Sequence, residues 1–296
     1  MYHLSLPADD PVEVEHLRKS LRNQMAHFMK SGVNFHIDEF YEGTRVNFLC
    51  YSRRKLGQQG DRRLRLSLGA AVADYLMTCK GPKLIRSMIT RQYRYPSKDE
   101  YDQIEGYATD LLHGDSNPNE YRGQVRRETI SRHVAKYLTE NHLLAVDGFI
   151  RFRMKTFYRS LEKLVEHAID DYLLDQEYKE FIHLLRYFVS VQSPKITMIH
   201  IFHKGKGQFY LTKADGTPVN PSEFDTAVHD FIEQAISQED VIVSTLLTVA
   251  PERIVLHSQD HEENVIRTLT QIFDDRIIVC EGCSECSFRT NDDGKA

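Results

Sequence analysis

No stretch of this chain approaches the ~18 uncharged apolar residues that a membrane-spanning helix requires. Its opening, Met1-Tyr2-His3-Leu4-Ser5-Leu6-Pro7, lacks both the basic start and the apolar centre of a secretory signal. These two absences predict a soluble, cytoplasmic protein. The even cysteine framework of a small secreted domain is missing as well. Five cysteines form an odd set: Cys50 and Cys79 stand alone inside apparent secondary structure and three crowd one end, a distribution that suits a reducing setting. No internal repeat or low-complexity tract occurs.

What remains is a chain of 296 residues, 41% of them hydrophobic, which is long enough to bury about 75% of its unfolded surface and to form roughly two domains. The net charge of −5 conceals an asymmetry. Residues 1 to 163 hold 27 Lys+Arg against 20 Asp+Glu, or +7, and residues 164 to 296 hold 11 against 23, or −12. Such a division orients the halves toward each other or steers an anionic partner to the first.

The periodicities predict a mixed α/β, or α+β, protein with α/β units at both ends of a long helical middle. A strand over 2 to 6 precedes an amphipathic helix opened by Asp10-Pro11, with Leu17, Leu21 and Met25 at helical spacing. Strands over Val33 to Ile37 and Thr44 to Tyr51 flank a turn at Glu42-Gly43, and helices over 63–79 and 82–93 flank a break at Lys80-Gly81-Pro82. The turn formers from His113 to Asn119 read as a linker, and helix continues from about 119 to 192. Strands at Ile196 to His203 and Gln208 to Thr212 follow Ser193-Pro194. Ser222 with Asp225 and Ser237 with Asp240 mark two helix starts, and Arg253 to Val279 reads as strand, helix, strand. The resulting division is 1–115 (α/β), 116–193 (helical), 194–280 (α/β) and a Cys-containing tail, 281–296.

The most chemically specific pattern is Cys280-Glu281-Gly282-Cys283-Ser284-Glu285-Cys286, placed directly after a strand. Structural zinc sites take four Cys or His ligands, and three are here. A right-handed strand-helix-strand crossover brings the carboxyl ends of its parallel strands to one edge, which nominates His257 as the fourth. Cys50, Cys79, His200 or another molecule's tail could take that place. An iron-sulfur cluster, reversible thiol chemistry and an unliganded tail also stay open, although the fourth Cys and following Pro of ferredoxin-type runs are absent.

Other candidates carry less. At 100° per residue from Phe149, Arg153 falls on the same apolar side as Phe157 and so calls for a partner: Asp147, or an acid of the Asp170-Asp171 region. An architectural ion pair or an anion-binding arginine would each fit. Arg62, Arg63 and Arg65 head several basic clusters that could contact phosphates, yet no nucleic-acid motif accompanies them, so nucleic-acid binding is not favoured over surface salt bridges. His200 and His203, three apart on a strand, point to opposite faces and do not simply chelate one metal together. Lys204-Gly205-Lys206-Gly207 reads as a hairpin turn, lacking the setting of a P-loop.

The stretch from Asp147 to Lys155, with Glu177 to Ile182, Leu184 to Val189, Thr248 to Ile254 and the Cys-rich end, resembles the YtxC-like family of spore-forming bacteria, most specifically over about 120 to 286. The resemblance implies a sporulation-associated protein and brings no catalytic residues with it. With no catalytic constellation in view, the expectation is a non-catalytic protein that binds an unknown protein partner and uses its C-terminal thiols for metal binding or redox sensing. The alternatives are a metal-assisted hydrolase built around His257 and the thiols, or a nucleic-acid-binding module.

Overall fold

A computed structural model describes residues 1–29, 35–53, 55–93, 97–114, 121–204, 208–220, 238–258, 260, 263–280 and 282–283. It has the expected α+β character, with two mixed four-stranded sheets and many helices between them in sequence. The chain divides into two compact units, Met1–Leu174 and Asp175–Ala296, each with one of the sheets.

In the first unit β1 (Tyr2–Pro7), β2 (Phe35–Glu42), β3 (Arg45–Ser52) and β4 (Leu143–Ala145) lie in the order β2-β3-β1-β4. Gly43, at φ +58°, makes the tight turn of the β2-β3 hairpin. The pleat sends Tyr2, Leu4 and Leu6 of β1 and Val46, Phe48 and Cys50 of β3 into the core. Strand β4 has no signature in the sequence, because three residues inside a helical pattern give no periodicity; its parallel pairing with His3–Ser5 defines it.

Among the described residues, seven helices follow or flank these strands: α1 (Pro11–Met29), α2 (Gln58–Tyr75), α3 (Gly81–Gln92), α4 (Lys98–His113), α5 (Tyr121–Glu140), α6 (Val146–Arg153) and α7 (Lys155–Val191), the last continuing into the second unit. Asp10 caps α1 by accepting the amides of Val12 and Glu13 through Oδ1, and Ser97 with Glu100 forms a reciprocal capping box on α4. The expected break at Lys80-Gly81-Pro82 does not occur. A π-helical turn, Leu76–Lys80, joins α2 to α3, and Pro82 falls in the first turn of α3, where a missing N–H costs little.

That turn borders a buried carboxylate. Tyr75 Oη donates to Glu13 Oε2 at 2.6 Å, Lys80 Nζ reaches Oε1 at 2.9 Å, and Lys83 Nζ bridges Glu13 and Asp10. Burial alone would raise the Glu13 carboxyl; the Tyr75 hydroxyl and the two ammonium groups outweigh it and hold it below the usual carboxylate range. Burial and the adjacent carboxylate push the Tyr75 phenol well above its ordinary value.

Arg153 is corrected by the structure. Helix α6 ends at Arg153, Met154 leaves helical geometry at φ −104° and ψ 37°, and α7 starts anew, so an angle counted from Phe149 through to Phe157 loses its phase. Arg153 is exposed, and Asp147 instead binds Arg45, whose Nη2 lies 2.5 Å from Oδ1. Asp170 and Asp171 lie within α7.

The second unit orders its strands β6-β5-β7-β8: β5 (Ile196–His203) is antiparallel to β6 (Phe209–Lys213) and parallel to β7 (Pro251–His257), which is parallel to β8 (Ile277–Val279). One face carries Ile199, Ile201, Ile254, Leu256 and Ile277 into a core shared with Ile182 and Val189 of α7, with α8 (Gln238–Val249) and with α9 (Asn264–Phe273). Each such aliphatic side chain stabilises the fold by about 1.5–3 kcal/mol on full burial. The β-branched run Val241-Ile242-Val243 is helical because Ile242 is buried in this core, and burial overrides propensity. The helix start at Ser222 and the glycines of the Lys-Gly-Lys-Gly turn lie outside the described residues, as does most of the linker from His113 to Asn119.

Two outcomes follow for the first unit. Because the Glu13 carboxyl is depressed in the folded state, its contribution is present above its unfolded value and lost as pH falls through the folded one. Glu13→Gln should therefore lower the thermal midpoint at neutral pH, by on the order of 1–3 kcal/mol in stability, and flatten the acid limb of a midpoint-against-pH curve; an unchanged acid limb would refute this. At Gly69 of α2 an added Cβ would stand 2.3 Å from the Ser131 carbonyl oxygen of α5. Gly69→Ala should force these helices apart at a cost of about 1–3 kcal/mol, seen as a lower midpoint, and an equal midpoint would show that the helices part freely.

Candidate metal centre

The site stands at the carboxyl edge of the second sheet, and strand register builds it. β7 and β8 pair as Ile254↔Ile277, Val255↔Ile278 and Leu256↔Val279, and the Cys280 amide continues the ladder by donating to the Leu256 carbonyl at 2.8 Å. One step further along, His257 and Cys280 leave the sheet side by side. Since Leu256 and Ile277 face the core, the period of two turns His257 and Cys280 to the opposite face. Gly282, at φ +132°, adopts a backbone conformation that side-chain-bearing residues rarely take, and the chain bends so that Cys283 Sγ lies 3.7 Å from His257 Nδ1.

One ligand atom from each of His257, Cys280 and Cys283 falls within 4.8 Å of the others. Tetrahedral zinc, with sulfur at about 2.3 Å and nitrogen at about 2.0 Å, separates two such ligands by about 3.6 Å, close to the observed His257–Cys283 spacing. His257 is buried, Cys280 half-buried and Cys283 exposed, so the group opens outward on its cysteine side. Cys286, the remaining sequence candidate, lies outside the described residues.

His257 is oriented by its neighbours. Its other ring nitrogen, Nε2, is 3.0 Å from His200 Nδ1, and the His257 ring stacks on Phe202 at 4.4 Å between centroids and 6° between planes. The register explains the trio: Phe202 pairs with His257 across β5 and β7, and His200 is two residues back on the same face. Metal-bound histidines commonly donate their second N–H to such an acceptor, which fixes the tautomer. His200 thus meets the nitrogen that Cys283 does not. The sequence alone does not reveal this part, because the β5–β7 register is needed to see it.

His203 points to the opposite face, as its spacing from His200 implies. Its Nδ1 lies 2.9 Å from Ser258 Oγ, while Nε2 is 2.8 Å from Glu263 Oε2, an ion-pair distance at which the N–H is not aligned as a hydrogen bond. Ser258 follows His257 directly and Glu263 stands at the residue just before α9, so a hydroxyl, an imidazole and a carboxylate share this edge. That grouping is equally hidden in the sequence, since three separate segments supply it.

The other cysteines and the basic clusters belong to the first unit. Cys50 and Cys79 are buried in its core, and burial pushes the Cys50 thiol up to about 12 and raises that of Cys79. Arg65 pairs with Asp61 at 2.9 Å, Arg127 pairs with Asp74, and Arg126 donates to the Leu111 and Leu112 carbonyls at the end of α4. Arg62 and Arg63 are exposed. Among the described residues, no helix is long and apolar enough to cross a membrane.

Comparison with known proteins places the chain. The protein YtxC of Bacillus subtilis (strain 168), itself described as uncharacterized, is 26% identical over 208 residues, covering 70% of this chain and 73% of that protein. No solved structure matches. The YtxC-like family matches residues 67–278, most of both compact units, and this chain belongs to that family.

Proposed function

We propose that this chain is a sporulation-associated cytoplasmic protein that acts by binding a protein partner rather than by catalysis. In this reading its second unit holds a zinc ion through His257, Cys280 and Cys283, with Cys286 as the fourth ligand. The supporting observation is the convergence of an imidazole nitrogen and two thiols within 4.8 Å at a sheet edge. Two sulfurs and a nitrogen suit zinc, and a closed four-ligand site is structural. Bound there, the ion would tie the end of β8 to the end of β7 and fix the segment after Val279. His200 would hold the His257 ring in place by accepting its Nε2–H.

Metal content per chain tests this, measured on untagged protein purified without oxygen. The account expects near one zinc per chain, none in a variant with Cys280, Cys283 and Cys286 changed to Ser, and a 10- to 100-fold weaker affinity in His200→Phe, which keeps a stacked ring but removes the acceptor. Iron in place of zinc would move the reading to electron transfer. No metal in the parent protein would refute it and leave reversible thiol chemistry or an unliganded tail.

A metal-assisted hydrolase is the second reading, favoured by the Ser258, His203 and Glu263 grouping at the same edge. It requires an open coordination position in place of the fourth protein ligand. Turnover that disappears in Ser258→Ala would favour it over the structural site.

A further inference from the structure

Helix α7 carries more apolar surface than the core of the second unit uses. Ile182, Leu185 and Val189 pack into that core. On the neighbouring side Phe181, Leu184, Tyr187, Phe188 and Val191 are 45–63% exposed. Single exposed apolar residues are ordinary, but these occupy successive turns of one helix. Phe181, Leu184, Phe188 and Val191 recur at intervals of three and four, the spacing that keeps a seam facing a second helix. Glu177 continues the spacing one step toward the amino end.

We propose that this face docks on the same face of a second copy of the chain, with the two helices antiparallel. The area fits: five large side chains, three of them aromatic, offer on the order of 600 Å², most of the ~800 Å² that each partner gives to a standard interface. A two-fold axis sets this face against itself, apolar side chain on apolar side chain. The charges choose the direction. On the seam side of α7, Glu177 and Glu180 stand at the amino end and no acid follows from 181 to 191, while Arg186 turns away to bind Asp274 and the Gln271 carbonyl. Parallel pairing would set acid against acid, and antiparallel pairing sets each acidic end beside the acid-free apolar end of its partner. The inference is independent of the metal site.

Sedimentation velocity of the full chain over a range of micromolar concentrations tests it. The expected result is a reversible dimer of twice 34.5 kDa that becomes monomeric in Leu184→Glu/Phe188→Glu with an unchanged far-ultraviolet circular dichroism spectrum, both positions being exposed. A parent chain that stays monomeric throughout, or a folded double variant that dimerises like the parent, would overturn the proposal.

Discussion

Parallel pairing of β7 with its two neighbours governs the second unit. Parallel strands leave the sheet at the same edge, so whatever follows β5, β7 and β8 gathers there however far apart it lies in sequence. The two-residue pleat then assigns each side chain to a face. Ile199, Ile201, Ile254, Leu256 and Ile277 take one face and bury it under helices. His200, Phe202, His257 and Cys280 take the other by the same rule. Core and candidate centre are thus two consequences of one register, and a shift of a single residue would exchange them.

The first unit is organised by a different constraint, a carboxylate taken out of water. Glu13 keeps its charge because Tyr75, Lys80 and Lys83 all donate to it. Two of these donors flank the π-helical turn, whose extra residue alters which side chains of the α2-to-α3 segment face α1. The positive groups there are engaged by Glu13 and Asp10, so they support the fold rather than offer a free anion site. Farther along, Arg65 and Arg127 are paired and Arg126 caps a helix, which engages three of the arginines that the sequence clusters in this half.

The alternation of Ile196 to His203 and the run Arg276 to Val279 are legible in the sequence as strands, and the crossover rule is enough to bring His257 and Cys280 to one edge. What escapes such reading is whatever depends on a distant partner. Leu143–Ala145 is a strand only because β1 lies alongside, some 140 residues earlier. His200 gains its role from a register with β7 that no local pattern encodes, and Ser258, His203 and Glu263 meet only after the sheet has formed. Arg153 is misplaced by helical counting for a local reason: one residue outside helical geometry, Met154, resets the helical phase. The acceptance of Pro82 without a break has a similar origin, since the π turn supplies a new first turn in which a proline fits.

In the proposed centre one imidazole and the thiolates of the carboxyl-edge segment share a metal ion. X-ray absorption at the zinc edge of the loaded full chain reads that first shell directly. The account predicts sulfur scatterers at about 2.3 Å together with a single imidazole nitrogen at about 2.0 Å, the nitrogen signal disappearing in His257→Ala. A shell of oxygen and nitrogen alone, or one unchanged by that substitution, would contradict it.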